Sequence, residues 1–262
     1  PGAVDGDTGP SLVDRMRKQA EKFDVEFVTD EIVNLDLTKE IKTLEGKSNN
    51  YEAKSVIIAT GAVPKLLNVP GEKELTGRGV SYCATCDGPF YQGLDIYVIG
   101  GGDTAVEEAI QLTNFANKVY IIHRRDELRA TKVIQERAFK NDKIDFIWNS
   151  EVVEIKGEKM LESFVIRNNV TGELTEIVPN EDHGAFGLFV LVGFNPATKL
   201  FENQIDMQNG YIITDEDMRT NLEGVYAAGD NRIKSLRQVV TATADGAIAA
   251  VNAEKYIRTK FE

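Results

Sequence analysis

The sequence predicts an α/β protein of two domains, a Rossmann-like βαβα domain inserted into a discontinuous outer one, and three observations carry that expectation. From Leu94 the pattern runs strand (DIYVIG), glycine turn (GGD), helix (TAVEEAIQLTNFA), strand (KVYIIHRR) and helix (ELRATKVIQERAF), the βαβα order of a helix-covered parallel sheet. Gly- and Pro-punctuated stretches on either side, TGAVPKLLNVPGEKELTG and Gly193 to Pro196, read as crossovers. The strand GVYAAGD and the helix pattern RQVVTATADGAIAAVNAEKYI then pair best with the start of the chain. The expected boundaries are 1–65 and 194–262 for a discontinuous outer domain and 66–193 for the inserted one.

The remaining elements follow in order. In SLVDRMRKQAEK, Leu12, Val13, Met16 and Ala20 recur at near-helical spacing, and FDVEFV alternates apolar and polar residues as a strand does. Val56, Ile57 and Ile58 form a buried strand that runs into Thr60 and Gly61. Short alternating segments, EVVEI, SFVIR and GELTEIV, imply a small antiparallel excursion, after which GLFVLVGF returns to a sheet as a buried strand. At 262 residues and 42% hydrophobic content, the chain can bury one large core or two moderate ones, and two is the working expectation.

Charge narrows the partners. Acidic residues outnumber basic ones 42 to 30, and a net charge of −12 repels nucleic acid and anionic membrane surfaces. No stretch has the length and apolarity of a membrane span, and PGAVDGDTGP does not resemble a basic, then apolar, leader. A soluble, unexported, cytoplasmic protein is expected.

The segment IYVIGGGDTA matches G-x-G-x-x-A. Gly100 allows the tight turn, Gly102 lets the backbone approach a pyrophosphate, Ala105 permits close helix packing, and the helix N-terminus offers free N–H donors. A bare structural turn is the competing reading of the glycines alone. An NAD-specific site would place an acidic residue at the end of the next strand; here stand His123, Arg124 and Arg125, with Arg129 beyond. Their guanidiniums suit a 2′-phosphate, hence NADPH, and as a mere basic helix start they would oppose the macrodipole.

Only two cysteines occur, Cys83 and Cys86, followed by Asp87. The C-x-x-C spacing suits a reversible disulfide, and a neighbouring carboxylate can shuttle protons. A zinc site would have to recruit both histidines, His123 and His183, from distant segments without finger spacing, so no metal is expected. A buried, permanently reduced pair is the blander alternative. At Gly229-Asp230 a carboxylate ends a strand, where it can hold ribityl or ribose hydroxyls or simply serve a turn.

Taken together, CATCDG, VIGGGDTAVEEA, HRRDELRA, and GVYAAGD followed by LRQ resemble the bacterial type of low-molecular-weight thioredoxin reductase, in family order and across the whole chain. The resemblance implies a fold of two three-layer ββα nucleotide-binding domains of the FAD/NAD(P)-dependent disulfide oxidoreductase type. It also implies a homodimer and electron flow from NADPH through FAD and the Cys83/Cys86 pair to thioredoxin. By position, Cys86 is the thiol facing the flavin, Cys83 attacks thioredoxin, and Asp87 is the general acid and base. Gly100, Gly102, Asp103 and Thr104 match the NADPH pyrophosphate turn, and His123, Arg124, Arg125 and Arg129 the 2′-phosphate site. Thr60, Gly61, Gly229, Asp230, Arg237, Gln238 and Val239 match FAD positions. The family's domain rotation would use the crossovers near Gly61 and Gly193 as hinges.

One departure stands out: the βαβ unit that opens such enzymes and binds the FAD pyrophosphate is not in this sequence. The expectation is therefore an N-terminally truncated chain that by itself binds FAD poorly. Rival readings are an alkyl hydroperoxide reductase flavoprotein, disfavoured by the arginines because that relative uses NADH; a ferredoxin-fed reductase, disfavoured by the intact glycine turn; and a non-catalytic nucleotide-binding fragment.

Overall fold

The computed structural model describes residues 6, 8–180 and 183–262. PGAVD and Asp7 of the opening segment lie outside the described residues. Along the chain run α1 (Gly9–Glu21), β1 (Ile32–Asp36), β2 (Lys42–Gly46), β3 (Asn50–Ala53), β4 (Val56–Ile58) and β5 (Ala62–Pro64). Next come β6 (Val80–Ser81), α2 (Ala84–Asp87), β7 (Asp95–Ile99), α3 (Asp103–Leu112), β8 (Lys118–Ile122), α4 (Lys132–Phe139) and β9 (Ile144–Ile147). Then follow β10 (Ser150–Lys156), β11 (Ser163–Asn168), β12 (Leu174–Ile177), β13 (Phe186–Val190), β14 (Phe194–Pro196), β15 (Met207–Gln208), β16 (Tyr211–Ile212), β17 (Val225–Ala227) and α5 (Val239–Phe261). The chain divides into two compact units, one running to Val63 and resuming at Pro196, the other spanning Pro64–Asn195.

The unit spanning Pro64–Asn195 has three layers. Its centre is a parallel sheet in the order β6-β13-β7-β8-β9. Successive side chains of a strand point to opposite faces, and both faces here are buried, so β7 and β8 read as nearly continuous apolar runs. Ile96, Val98, Val119 and Ile121 pack on Ala105, Val106, Ala109 and Leu112 of α3. Ile99 and Ile122 face the other way, onto Val152, Ile155, Phe164 and Ile166 of the antiparallel sheet β10-β11-β12.

In the other unit β17 lies parallel to β4, with Val225 opposite Val56 and Ala227 opposite Ile58. One face of β17 packs with Leu35, Leu37, Phe201 and Ile212. The other carries Tyr226, against Ala249 and Ala253 of α5. The meander β1-β2-β3 was not anticipated from the sequence. The polar turn of that meander is gathered by Asp30, which accepts from the Ser48 and Asn49 N–H groups and from the Tyr51 hydroxyl.

Two expectations need correction. FDVEFV forms no strand: no segment among the described residues pairs with it, and Phe23, Val25, Phe27 and Val28 are all exposed. The helix expected from Glu127 begins only at Lys132. The N–H groups of Arg129 and Ala130 both bond to the Gly101 carbonyl, and Asp103 accepts from the Thr131 N–H at 2.7 Å, which holds this stretch against the glycine turn as a loop. Among the described residues no helix is long and apolar enough to cross a membrane.

Candidate functional site

Three clusters, two in the three-layer unit and one in the other, hold the residues singled out from the sequence. In the three-layer unit, β7 delivers Gly100 to Gly102 at its C-terminal end, where α3 begins. A Cβ on Gly100 would lie 2.5 Å from the Ala105 Cβ and 2.7 Å from the Leu191 carbonyl oxygen, so this glycine lets the turn close on its own helix. A Cβ on Gly101 would lie 2.3 Å from the His123 ring, whereas one on Gly102 would have only Arg129 Nη2 nearby, at 3.9 Å. The open side of the turn is therefore at Gly102, beside a guanidinium. These residues border a pocket of about 640 Å³ that also takes in Thr104, His123 and Arg124. Arg125 is exposed and does not line it, and the arginines stand on the loop before α4 rather than at a helix start.

His123 is buried, with Nε2 unpartnered. Burial pushes its pKa down, and the charges of Arg129, Arg124 and Arg125 push the same way, so the ring is neutral at pH 7. An unbonded buried nitrogen, a glycine face without a Cβ and a cluster of guanidiniums fit an anionic nucleotide.

The dithiol lies in the same unit. Cys83 and Cys86 are joined as a disulfide, and Cys83 caps α2, its Sγ accepting from the Cys86 N–H at 3.2 Å. Cys86 is exposed and Cys83 half-buried. Two residues that the sequence reading missed hold this turn. Buried Ser81, at the end of β6, donates to Asp87 Oδ2 at 2.6 Å and accepts from the Cys83 N–H at 3.1 Å. Glu108 of α3 accepts from the Ala84 N–H at 3.3 Å, and burial pushes its carboxyl above the usual range. The signal for Ser81 was its place two residues before the first cysteine; for Glu108, an acidic residue three positions after Ala105 and next to Ala109, both buried, where its neighbour Glu107 is exposed.

In the other unit, β4 and β17 end side by side, which brings Thr60 and Gly61 next to Gly229 and Asp230. The Ala228 N–H bonds to the Ile58 carbonyl, and Asn231 Nδ2 donates to Ile58 O at 3.0 Å and to Thr60 Oγ1 at 3.2 Å. Gly61 and Gly229 adopt φ of +70° and +85°. Arg237 lies over the Tyr211 ring at 4.5 Å, and Gln238 and Val239 form the cap and first residue of α5. Asp230 Oδ1, Asn231 Oδ1 and Arg237 Nε are buried without a partner. Unsatisfied acceptors and a donor at the C-terminal ends of parallel strands suit a ligand rich in hydroxyl and phosphate groups.

Residues 5–246 match the pyridine nucleotide-disulphide oxidoreductase family. The chain is 59% identical over 263 residues to thioredoxin reductase of Peptoclostridium acidaminophilum, covering 100% of this chain and 84% of that protein. It is 60% identical to thioredoxin reductase of Peptoclostridium litorale, covering 100% and 83% of the two chains. The crystal structure of thioredoxin reductase from Streptococcus pyogenes superimposes with a TM-score of 0.92 at 46% identity, over 99% of this chain and 83% of that one.

Proposed function

This chain belongs to the thioredoxin reductase family of pyridine nucleotide-disulphide oxidoreductases, and from that membership we propose that it is an NADPH-dependent thioredoxin-disulfide reductase working with FAD. The observation that carries the reading is the bonded Cys83–Cys86 pair on a helix that rests, through Glu108, on the helix opened by the glycine turn. Dithiol and nucleotide turn are thus parts of one packed unit.

The residues divide by task. Gly100, Gly102, Asp103 and Thr104 bound the diphosphate of NADPH, and His123, Arg124 and Arg129 at the pocket, with Arg125 on the same loop outside its lining, serve its 2′-phosphate. Thr60, Gly61, Gly229, Asp230, Arg237, Gln238 and Val239 hold FAD. Bound flavin supplies the two-electron relay between nicotinamide and disulfide. Residues 1–65 with 194–262 form the FAD domain and 66–193 the NADPH domain, and the family's arrangement extends to a cytoplasmic homodimer.

Reduction adds two electrons and two protons to the pair and opens its S–S bond. The Cys83 sulfur then attacks one sulfur of the thioredoxin disulfide, forming a mixed disulfide while the other thioredoxin sulfur leaves as a thiolate and is protonated. Cys86 attacks the Cys83 sulfur, restoring the Cys83–Cys86 bond and releasing the second thioredoxin thiol. Exposure alone would favour Cys86 as the attacking sulfur. The Cys86 N–H, 3.2 Å from Cys83 Sγ, favours Cys83 instead, because it stabilises negative charge on that sulfur. Asp87, held by Ser81, takes the proton of the attacking thiol and returns it to the leaving one.

The test is steady-state reduction of thioredoxin with NADPH. Cys83→Ser and Cys86→Ser should each abolish it while leaving NADPH-driven bleaching of the flavin band intact. Thioredoxin turnover persisting in either variant would remove the assignment.

A further inference from the structure

The middle of α5, TATADGAIAA, is built from small and apolar residues, and one carboxylate stands among them. Asp245 is 5% exposed. A carboxylate at that depth is tolerated only where cations and N–H donors meet it. The Gly229 N–H lies 3.0 Å from Oδ2, Arg232 places Nε 2.9 Å from Oδ2 and Nη2 3.1 Å from Oδ1, and Lys234 Nζ sits 2.7 Å from Oδ2. The two cationic side chains are themselves only 14% and 7% exposed, which sets the cluster apart from the solvent-screened surface pairs elsewhere on the chain.

All of these donors sit on one loop, Gly229 to Lys234, and Asp230 lies between them in sequence. The loop is tied at further points: Asn231 Nδ2 to the Ile58 carbonyl, and Arg232 Nη1 to Thr214 Oγ1 at 3.1 Å. Within this restraint Asp230 and Asn231 each keep a buried oxygen without a partner. The loop is fixed from the α5 side, while acceptors on it stay unsatisfied.

We propose that Asp245 is a positioning residue that clamps the Gly229–Lys234 loop from α5, so that Asp230 meets the hydroxyl groups of the flavin's ribityl or ribose portion in a preset geometry. The inference rests on reading the ends of β4 and β17 as the flavin site. Ordering the loop in advance removes that entropy cost from binding. Loss of Asp245 would leave Asp230 as the only carboxylate close in sequence to Arg232 and Lys234, and the freed cations would compete with the ligand for it.

Asp245→Asn keeps the size of the side chain and removes its charge. In flavin-free protein, hydrogen exchange of residues 229–234 should accelerate about tenfold or more, while β7 and α3 keep wild-type protection. Unchanged exchange in the loop overturns the clamp. The dissociation constant for FAD, read by quenching of flavin fluorescence, should rise about tenfold or more. Asp245→Asn with Lys234→Met removes one freed cation and should recover part of that affinity, which also covers poor folding of the single variant; purely additive losses overturn the proposal. Asp230→Ala separates the two readings. FAD binding weakened by Asp230→Ala but untouched by Asp245→Asn defeats the positioning role alone, whereas binding indifferent to both defeats the flavin assignment of this loop.

Discussion

A methyl group placed in turn on Gly101 and Gly102 would meet different neighbours, and Gly102→Ala is the informative change. Gly102 caps α3 with φ −90° and ψ 176°, an extended conformation that alanine adopts freely, and its nearest neighbour would be Arg129 Nη2 at 3.9 Å. The folding cost is then limited to the weaker capping preference of alanine, about 1 kcal/mol or less. The nucleotide cost is larger. A methyl on the open side of the turn holds the diphosphate away from the α3 N-terminus, and losing one or two charge-assisted hydrogen bonds amounts to about 3 kcal/mol, on the order of a hundredfold in affinity. Gly101→Ala is the contrast. Its Cβ would stand 2.3 Å from the buried His123 ring, which must retreat by about 1.1 Å to reach the 3.4 Å of ordinary contact. The His123 backbone is bonded to Ile147 and Ser150, so this overpacking should cost roughly 1–3 kcal/mol and lower the melting temperature by several degrees. Thermal melts with fluorescence titrations of NADPH measure both quantities. The reasoning is refuted if Gly102→Ala binds NADPH within twofold of wild type, or if it melts as low as Gly101→Ala.

Replacing Arg124 and Arg125 together by alanine should weaken NADPH about ten- to a hundredfold and leave NADH within about twofold, because only the former loses bonds to a 2′-phosphate; equal effects in a coenzyme comparison would remove the case for NADPH. Ser81→Ala deletes the 2.6 Å bond to Asp87 and should lower kcat for thioredoxin about tenfold at unchanged KM, with Ser81→Thr retaining most of the rate; a shift in KM alone would place Ser81 in partner docking instead. Burial by itself would push the Asp245 carboxyl up, but the bonds from Arg232, Lys234 and the Gly229 N–H outweigh it and hold the pKa at about 2, below the ordinary 3.8. The group therefore contributes about 2 kcal/mol that is fully present above pH 4 and lost as pH falls toward 2. In urea melts the stability gap between wild type and Asp245→Asn should narrow over that interval, and a gap that stays constant from pH 5 to 2 would contradict the ionised clamp.

Segments whose burial is uniform were legible in the sequence. DIYVI is covered on both faces and could only be an interior strand, and the glycine turn after it follows from the demands of helix packing on Gly100 and Ala105. FDVEFV shows the limit of periodicity, which reports how side chains alternate and not whether another strand is there to pair. The start of α4 was misplaced because the Gly101 carbonyl takes the Arg129 and Ala130 N–H groups, an interaction across the sheet end that a local pattern does not contain. The meander stayed hidden because β1 to β3 are short and half-exposed, with a register shift between Ile32 and Asn34. In the candidate sites the cysteine pair, the glycine turn and the arginines were visible from their spacing, and the roles proposed for them come from the family resemblance. Ser81, Glu108 and Asp245 were not, since each acts through a backbone group or a cation that folding alone brings to it.

Where the chain enters the three-layer unit and where it leaves, the Lys65 N–H and the Gly193 carbonyl lie 2.9 Å apart. Entrance and exit so close together make that unit a self-contained cassette, with a seam that a few linking residues can bridge. Excising it, or fusing its ends and reopening it at a surface loop, should leave its interior undisturbed, and coenzyme recognition could then be dissected on a piece half the size.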